Sequence, residues 1–169
     1  MTAPSALSRK IIGWHCHVYF MPESRDCAVR LNEELQDQFR IWDYRWLEAP
    51  NPLHPRPMFR FQFPPADLAR FIEWITLNRN DLSVLIHAIT GDDIFDHSYN
   101  AMWLGEPLTL NLDGLREMLD QVARGELPQS LVPASQVPAE PSAVSRIRYR
   151  PGDDSHLNPG SRQAQDASR

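Results

Sequence analysis

The chain has no excess of positive charge, no long apolar run and very little cysteine. Its net charge of −5 leaves no basic surface for a nucleic-acid backbone. No apolar stretch approaches the ~18–20 residues that a membrane span requires. The first ten residues are polar and lack the apolar core of a secretory leader, so no such signal is expected. Cys16 and Cys27 are the only cysteines, too few for a disulfide framework, and there is no CxxC motif. The expectation is a reduced, cytoplasmic protein. A glycine-rich phosphate loop and a GxSxG elbow are both missing, which argues against nucleotide and serine-hydrolase chemistry.

What is present is an ordinary globular mixture, 42% hydrophobic and 23% charged in 169 residues, enough for one domain with a core. Residues 1–10 read as a loose, flexible arm, residues 11–126 as the domain, and residues 127–169, rich in Pro, Ser, Gln and Arg, as a disordered tail. Within the domain, residues 11–20 alternate as a strand. Ala28, Leu31, Leu35 and Phe39 recur at helical spacing over residues 25–39. Residues 41–47 alternate again, with Trp42, Tyr44 and Trp46 expected on one core-facing side. Four prolines make residues 49–57 a stiff loop. Phe59, Phe61 and Phe63 share one side of a strand over residues 58–63. Leu68, Phe71, Ile72 and Ile75 stripe a helix that the Pro64-Pro65 pair opens. Residues 82–88 form the next strand. The order β-α-β-β-α-β predicts an α+β, ferredoxin-like fold: a four-stranded antiparallel sheet with two helices on one face. Residues 101–105 read as a short extra strand. Leu112, Leu115, Leu119 and Val122 suggest a last helix.

Six histidines are present, and two of them stand together as His15-Cys16-His17 inside the first strand. Residues two apart on a strand share a face, so Cys16 points into the core while His15 and His17 project together from the other side, with Tyr19 beyond them. His87 ends the strand expected beside the first and falls on the same helix-free face. His54, between prolines, and His97, after the last strand, sit in loops able to approach it. Such a set is either hydrogen-bonded structure, an acid/base pair, or a site for Fe(II), Zn(II) or another borderline divalent ion. The carboxylates best placed to join it are Asp92, Asp93 and Asp96. Arg45 and Arg60 point away from the aromatic faces; they are candidates to bind a substrate carboxylate in bidentate fashion, or else solvated strand residues. Glu117 and Asp120 read as a solvated helix face, and His156 as an inert tail residue.

The strings Trp14-His15-Cys16-His17-Val18-Tyr19-Phe20, His54-Pro55, Leu77-Asn78-Arg79, Leu82-Ser83-Val84-Leu85-Ile86-His87, Thr90-Gly91-Asp92-Asp93, Asp96-His97 and Trp103-Leu104-Gly105-Glu106-Pro107-Leu108, in this order and spacing, resemble the DOPA 4,5-dioxygenase family. The resemblance runs from about Ile11 to Leu112. It implies a small ferredoxin-like enzyme that opens a catechol ring beside its two hydroxyls with O₂ and non-haem Fe(II). On that basis His15, His17 and His87 are the expected metal ligands, with His54 in place of His15 as the main alternative. His54 and His97 are the expected acid/base residues, and Arg45, Arg60 and Tyr19 the expected substrate contacts. A competing expectation is a metal- or small-molecule-binding ferredoxin-like module without catalysis, whose open sheet face is covered by a second copy as a homodimer.

Overall fold

Alternation builds the sheet. The structure, a computed structural model, describes residues 10–128. In β1 (Gly13–Tyr19) Cys16 and Val18 join the main apolar core, while His15, His17 and Tyr19 face the other way. β2 (Trp42–Leu47), β3 (Met58–Phe63), β4 (Ser83–Ile89) and β5 (Ala101–Leu104) complete an antiparallel sheet of order β2-β3-β1-β4-β5. β1 is central, with β3 on one side and β4 on the other.

The four-stranded expectation is corrected: the sheet has five strands, so the ferredoxin-like description does not cover it. The addition has a physical reason. Without β5, the outer backbone of β4 would be an unpaired edge. The short run Ala101–Leu104 pairs with it from Val84–Leu104 to His87–Ala101.

Two helices cover one face. The 3-10 turn Pro22–Ser24 leads into α1 (Arg25–Gln38), and the turn Pro65–Asp67 into α2 (Leu68–Asn78). Proline at a helix start presets φ where no N–H partner is needed. Ala28, Leu31 and Leu35 of α1 and Phe71 and Ile75 of α2 pack on Phe59, Phe61, Phe63, Val84 and Ile86 of the sheet. Phe71 is fully buried, its ring 4.5 Å from that of Phe63.

The opposite face is covered as well. After β4 comes the single-turn α3 (Asp93–Asp96), and after β5 the chain returns as α4 (Leu112–Ala123). Gly105 turns the chain out of β5 at φ 82°, where a Cβ would lie 2.9 Å from Arg79 Nη1. α4 lies against the proline loop. The Asn111 N–H donates to Leu53 O (3.0 Å), and a Cβ on Gly114 would stand 3.0 Å from Pro52 O. The sheet face opposite α1 and α2 is thus partly covered by α4 and the proline loop.

One strand departs from simple alternation. Asp43 sits at φ 47°, in the left-handed region, and the β2–β3 register slips between Trp42 and Arg45. This bulge separates Trp42 from its expected companions. Tyr44 and Trp46 join the helix-side core, whereas Trp42 Nε1 donates to Gln62 Oε1 (2.8 Å) on the other side. Among the described residues no helix is long and apolar enough to cross a membrane. The expected arm (1–10) and tail (127–169) lie, but for residues 10, 127 and 128, outside the described residues.

Candidate metal centre

Strand register puts three imidazoles side by side. His15 stands directly opposite His87 on β4 and Gln62 on β3, while His17 stands opposite Arg60. The proline loop supplies a fourth. Asn51 Oδ1 accepts from Leu53 N (3.0 Å) and His54 N (2.8 Å), and Asn51 N–H donates to His54 O (3.0 Å). That turn folds His54 back over the sheet, where its ring centroid is 4.4 Å from that of His17.

The fifth, His97, caps α3. Asp96, at 1% exposure, locks this loop by accepting from Thr90 N (2.7 Å), Thr90 Oγ1 (2.7 Å) and Asn100 Nδ2 (3.0 Å). Asp92 caps the turn through Phe95 N. The Asp96 charge acts on His97, and Asp93 alone of the three lines the adjoining cavity. The His97 ring lies 4.0 Å from His87 and 5.8 Å from His54.

All five imidazoles are buried, at 1–5% exposure. Burial is the largest cause holding each below its usual pKa; neighbouring histidines push His15, His17, His54 and His87 the same way and Arg60 all but His17, while the Ala88 carbonyl opposes this at His87 and the Asp93 carbonyl and Asp96 oppose it at His97. Neutral imidazoles keep a lone pair for a metal. Two overlapping triads have ligand atoms within 4.8 Å of one another: His15, His17 and His87, and His17, His54 and His97.

The hydrogen bonds test whether the cluster needs an ion. A carbonyl only accepts, so His87 Nδ1–H donates to Ala88 O (2.9 Å) and His97 Nδ1–H to Asp93 O (2.8 Å). Both Nε2 atoms are left as acceptors. Such outer partners are the usual means of orienting a metal-binding histidine. Tyr19 Oη lies 2.7 Å from His54 Nδ1, and His17 Nε2 lies 3.2 Å from His87 Nε2. His15 Nδ1 and His17 Nδ1 are buried without a hydrogen-bond partner among the described residues. An unmet buried polar atom costs about 1–3 kcal/mol, so folding alone does not explain the cluster. A borderline divalent ion fits the donor set.

A cavity of about 330 Å³ opens onto this centre. His15, His17, His54 and His97 line it, and His87 does not. Leu47, Leu53, Met58, Leu115 and Met118 supply apolar wall, and Arg45 and Arg60 the positive charge. Asp93 is pushed up to about 6 by burial and by the nearby Asp96 and Asp92. Tyr19 is not among the lining residues; its hydroxyl meets His54, and burial holds its pKa high. Arg60 is only 8% exposed, a buried residue and not a solvated one.

The residues that pattern reading misses are those turned by the bulge. Asp43 Oδ2 accepts from Arg60 Nη1 (3.1 Å) and Gln62 Nε2 (3.2 Å), and Arg60 Nη1 also donates to His15 Nε2 (3.0 Å). The available signal was a lone Asp between aromatics in a strand, since Asp tolerates left-handed backbone.

The Dopa 4,5-dioxygenase family matches residues 14–114. A DOPA 4,5-dioxygenase of Amanita muscaria is 26% identical over 134 residues, covering 70% of this chain and 56% of that protein. An uncharacterized 21.2 kDa protein of Botryotinia fuckeliana is 32% identical over 120 residues, 63% of this chain and 65% of that one. The chain thus spans 56–65% of the length of these curated relatives. The crystal structure of a "putative dioxygenase" from Nostoc punctiforme is 40% identical with a TM-score of 0.62, covering 64% of this chain and 94% of that chain. The matched segment runs through every imidazole of the cluster, and the chain belongs to the Dopa 4,5-dioxygenase family.

Proposed function

We propose that this protein is an extradiol-type dioxygenase that opens a catechol ring with O₂ at a non-haem Fe(II) held by the imidazole cluster. The observation that carries this reading is the convergence of buried, neutral imidazoles on the floor of an apolar-walled cavity. The ion would be held by one of the two triads, His15, His17 and His87 or His17, His54 and His97. When bound, Fe(II) supplies Lewis acidity toward the catechol oxygens and the redox chemistry that O₂ requires.

The chain's own residues do the rest. Leu47, Leu53, Met58, Leu115 and Met118 hold the aromatic ring and exclude water from the floor. Arg45, whose Nε stands 3.9 Å from Asp43 Oδ1, receives an acidic side arm of the substrate, and Arg60, held by Asp43 and His15, lines the same wall. A group not holding the ion takes a catechol proton: His54 or His97 where His15, His17 and His87 hold it, Asp93 where His17, His54 and His97 do. Asp93, pushed up to about 6, is a second group able to hold a proton beside the ring.

The full chain, loaded anaerobically with Fe(II) and mixed with a catechol panel including DOPA and caffeate, is expected to consume O₂ and turn yellow. Iron retention without O₂ uptake across the panel would reject catalysis in favour of a metal-binding module. Failure to retain iron would reject both.

A further inference from the structure

The two triads share His17, but the surrounding side chains do not treat them alike. Resting on the reading that an ion sits in this cluster, we propose that Arg60, anchored by Asp43, occupies the Nε2 of His15 and so assigns the ion to His17, His54 and His97. Asp43 and Arg60 are then positioning residues.

The argument starts at His15. A guanidinium only donates, so the 3.0 Å contact from Arg60 Nη1 uses the lone pair of His15 Nε2. The guanidinium is not free to leave. Arg60 is buried, its Nη1 also donates to Asp43 Oδ2, and that carboxylate is steadied by Gln62, which Trp42 holds in turn. The left-handed backbone at Asp43 brings this carboxylate to the histidine face. Backbone strain of this kind persists where the surroundings over-determine it. An ion at His15 Nε2 would have to displace the guanidinium or sit against its charge.

His87 is spoken for in a different way. Its Nδ1–H goes to Ala88 O, so its Nε2 is an acceptor, and His17 Nε2–H, 3.2 Å away, fills it. That leaves His17 a lone pair on Nδ1, the atom buried without a hydrogen-bond partner among the described residues. His54 and His97 have their Nδ1 atoms tied to Tyr19 and to the Asp93 carbonyl, which leaves Nε2 of each for the cluster. All three residues of this triad line the cavity, where a substrate can reach the ion; the other triad includes His87, which does not.

The test uses metal alone on the full chain. Zn(II) added to histidine-labelled protein is expected to shift the imidazole nitrogens of His17, His54 and His97 and to leave His15 Nε2 accepting from Arg60. Shifts at His15 and His87 in place of His54 and His97 would overturn the assignment while sparing the metal site. No shift at any of the five would overturn both. In Co(II) titrations of variants that melt as the parent does, His54→Gln and His97→Gln are expected to lose more than about a hundred-fold in affinity, and His15→Gln and His87→Gln, which change only outer partners, to lose about ten-fold at most. The reverse ranking would sink the proposal. Asp43→Asn is expected to abolish the guanidinium signature at His15 Nε2 and to change the Co(II) absorption as His15 joins the ion. A variant that only melts earlier, with both signals intact, would refute the positioning role.

Discussion

On the helix side of β1, Cys16 and Val18 lie among Phe59, Phe61, Phe63 and Phe71, and burial needs no partner beyond shape. One residue along the same strand, His15 and His17 are equally buried, at 1% exposure, among three further imidazoles and an arginine. The first face gains free energy from leaving water, roughly 1.5–3 kcal/mol for each large apolar side chain. The second spends it, because polar atoms buried without partners are costly. A protein that keeps such a face has a use for it, and here the use is a set of neutral nitrogen donors at the floor of a cavity.

The contrast breaks most visibly with pH in the metal-free protein. The five histidines are held below their usual pKa when folded, whereas the unfolded chain binds protons from about pH 6.5 downward. The unfolded state therefore takes up more protons below that pH, and stability falls as pH drops from about 6.5 toward the lowered folded values. The slope reaches about 1.4 kcal/mol per pH unit for each histidine still neutral in the fold. Urea unfolding at a series of pH values checks it; a flat curve between pH 7 and 5 would contradict the buried, neutral cluster.

Phe71→Ala is the matching break on the other face. It is expected to cost about 3–5 kcal/mol in urea unfolding at every pH, since no charge is involved. His17→Gln is expected to do the opposite: less than about 1.5 kcal/mol in stability, with metal affinity down about a hundred-fold or more. Similar stability losses in the two variants would mean that the histidines serve the fold. The smallest effect belongs to the cavity wall. Arg45→Gln is expected to raise KM about ten-fold for a carboxylated catechol, with kcat and the KM for an uncharged catechol little changed.

Much of this contrast is visible in the pattern of residues. Alternation alone places His15 and His17 opposite Cys16, and the expected neighbour relation of the first and last strands of the βαββαβ unit brings His87 to the same face. The helical stripes of α1 and α2 identify their buried sides. What pattern could not supply is local backbone conformation. The left-handed Asp43 breaks the alternation that grouped Trp42 with Tyr44 and Trp46, and it creates the Asp43–Arg60–His15 chain. His54 reaches the cluster only through the turn that Asn51 closes. The four residues of β5 were too short a run to settle the strand count, which depends on the open edge of β4.

The central claim is tested most directly by anaerobic dialysis of the full chain against Fe(II), with iron counted per chain. The account expects about one ion retained by the parent and essentially none by His17→Gln, the residue common to both triads. A parent that retains no iron, or a His17→Gln variant that retains as much as the parent, would contradict it.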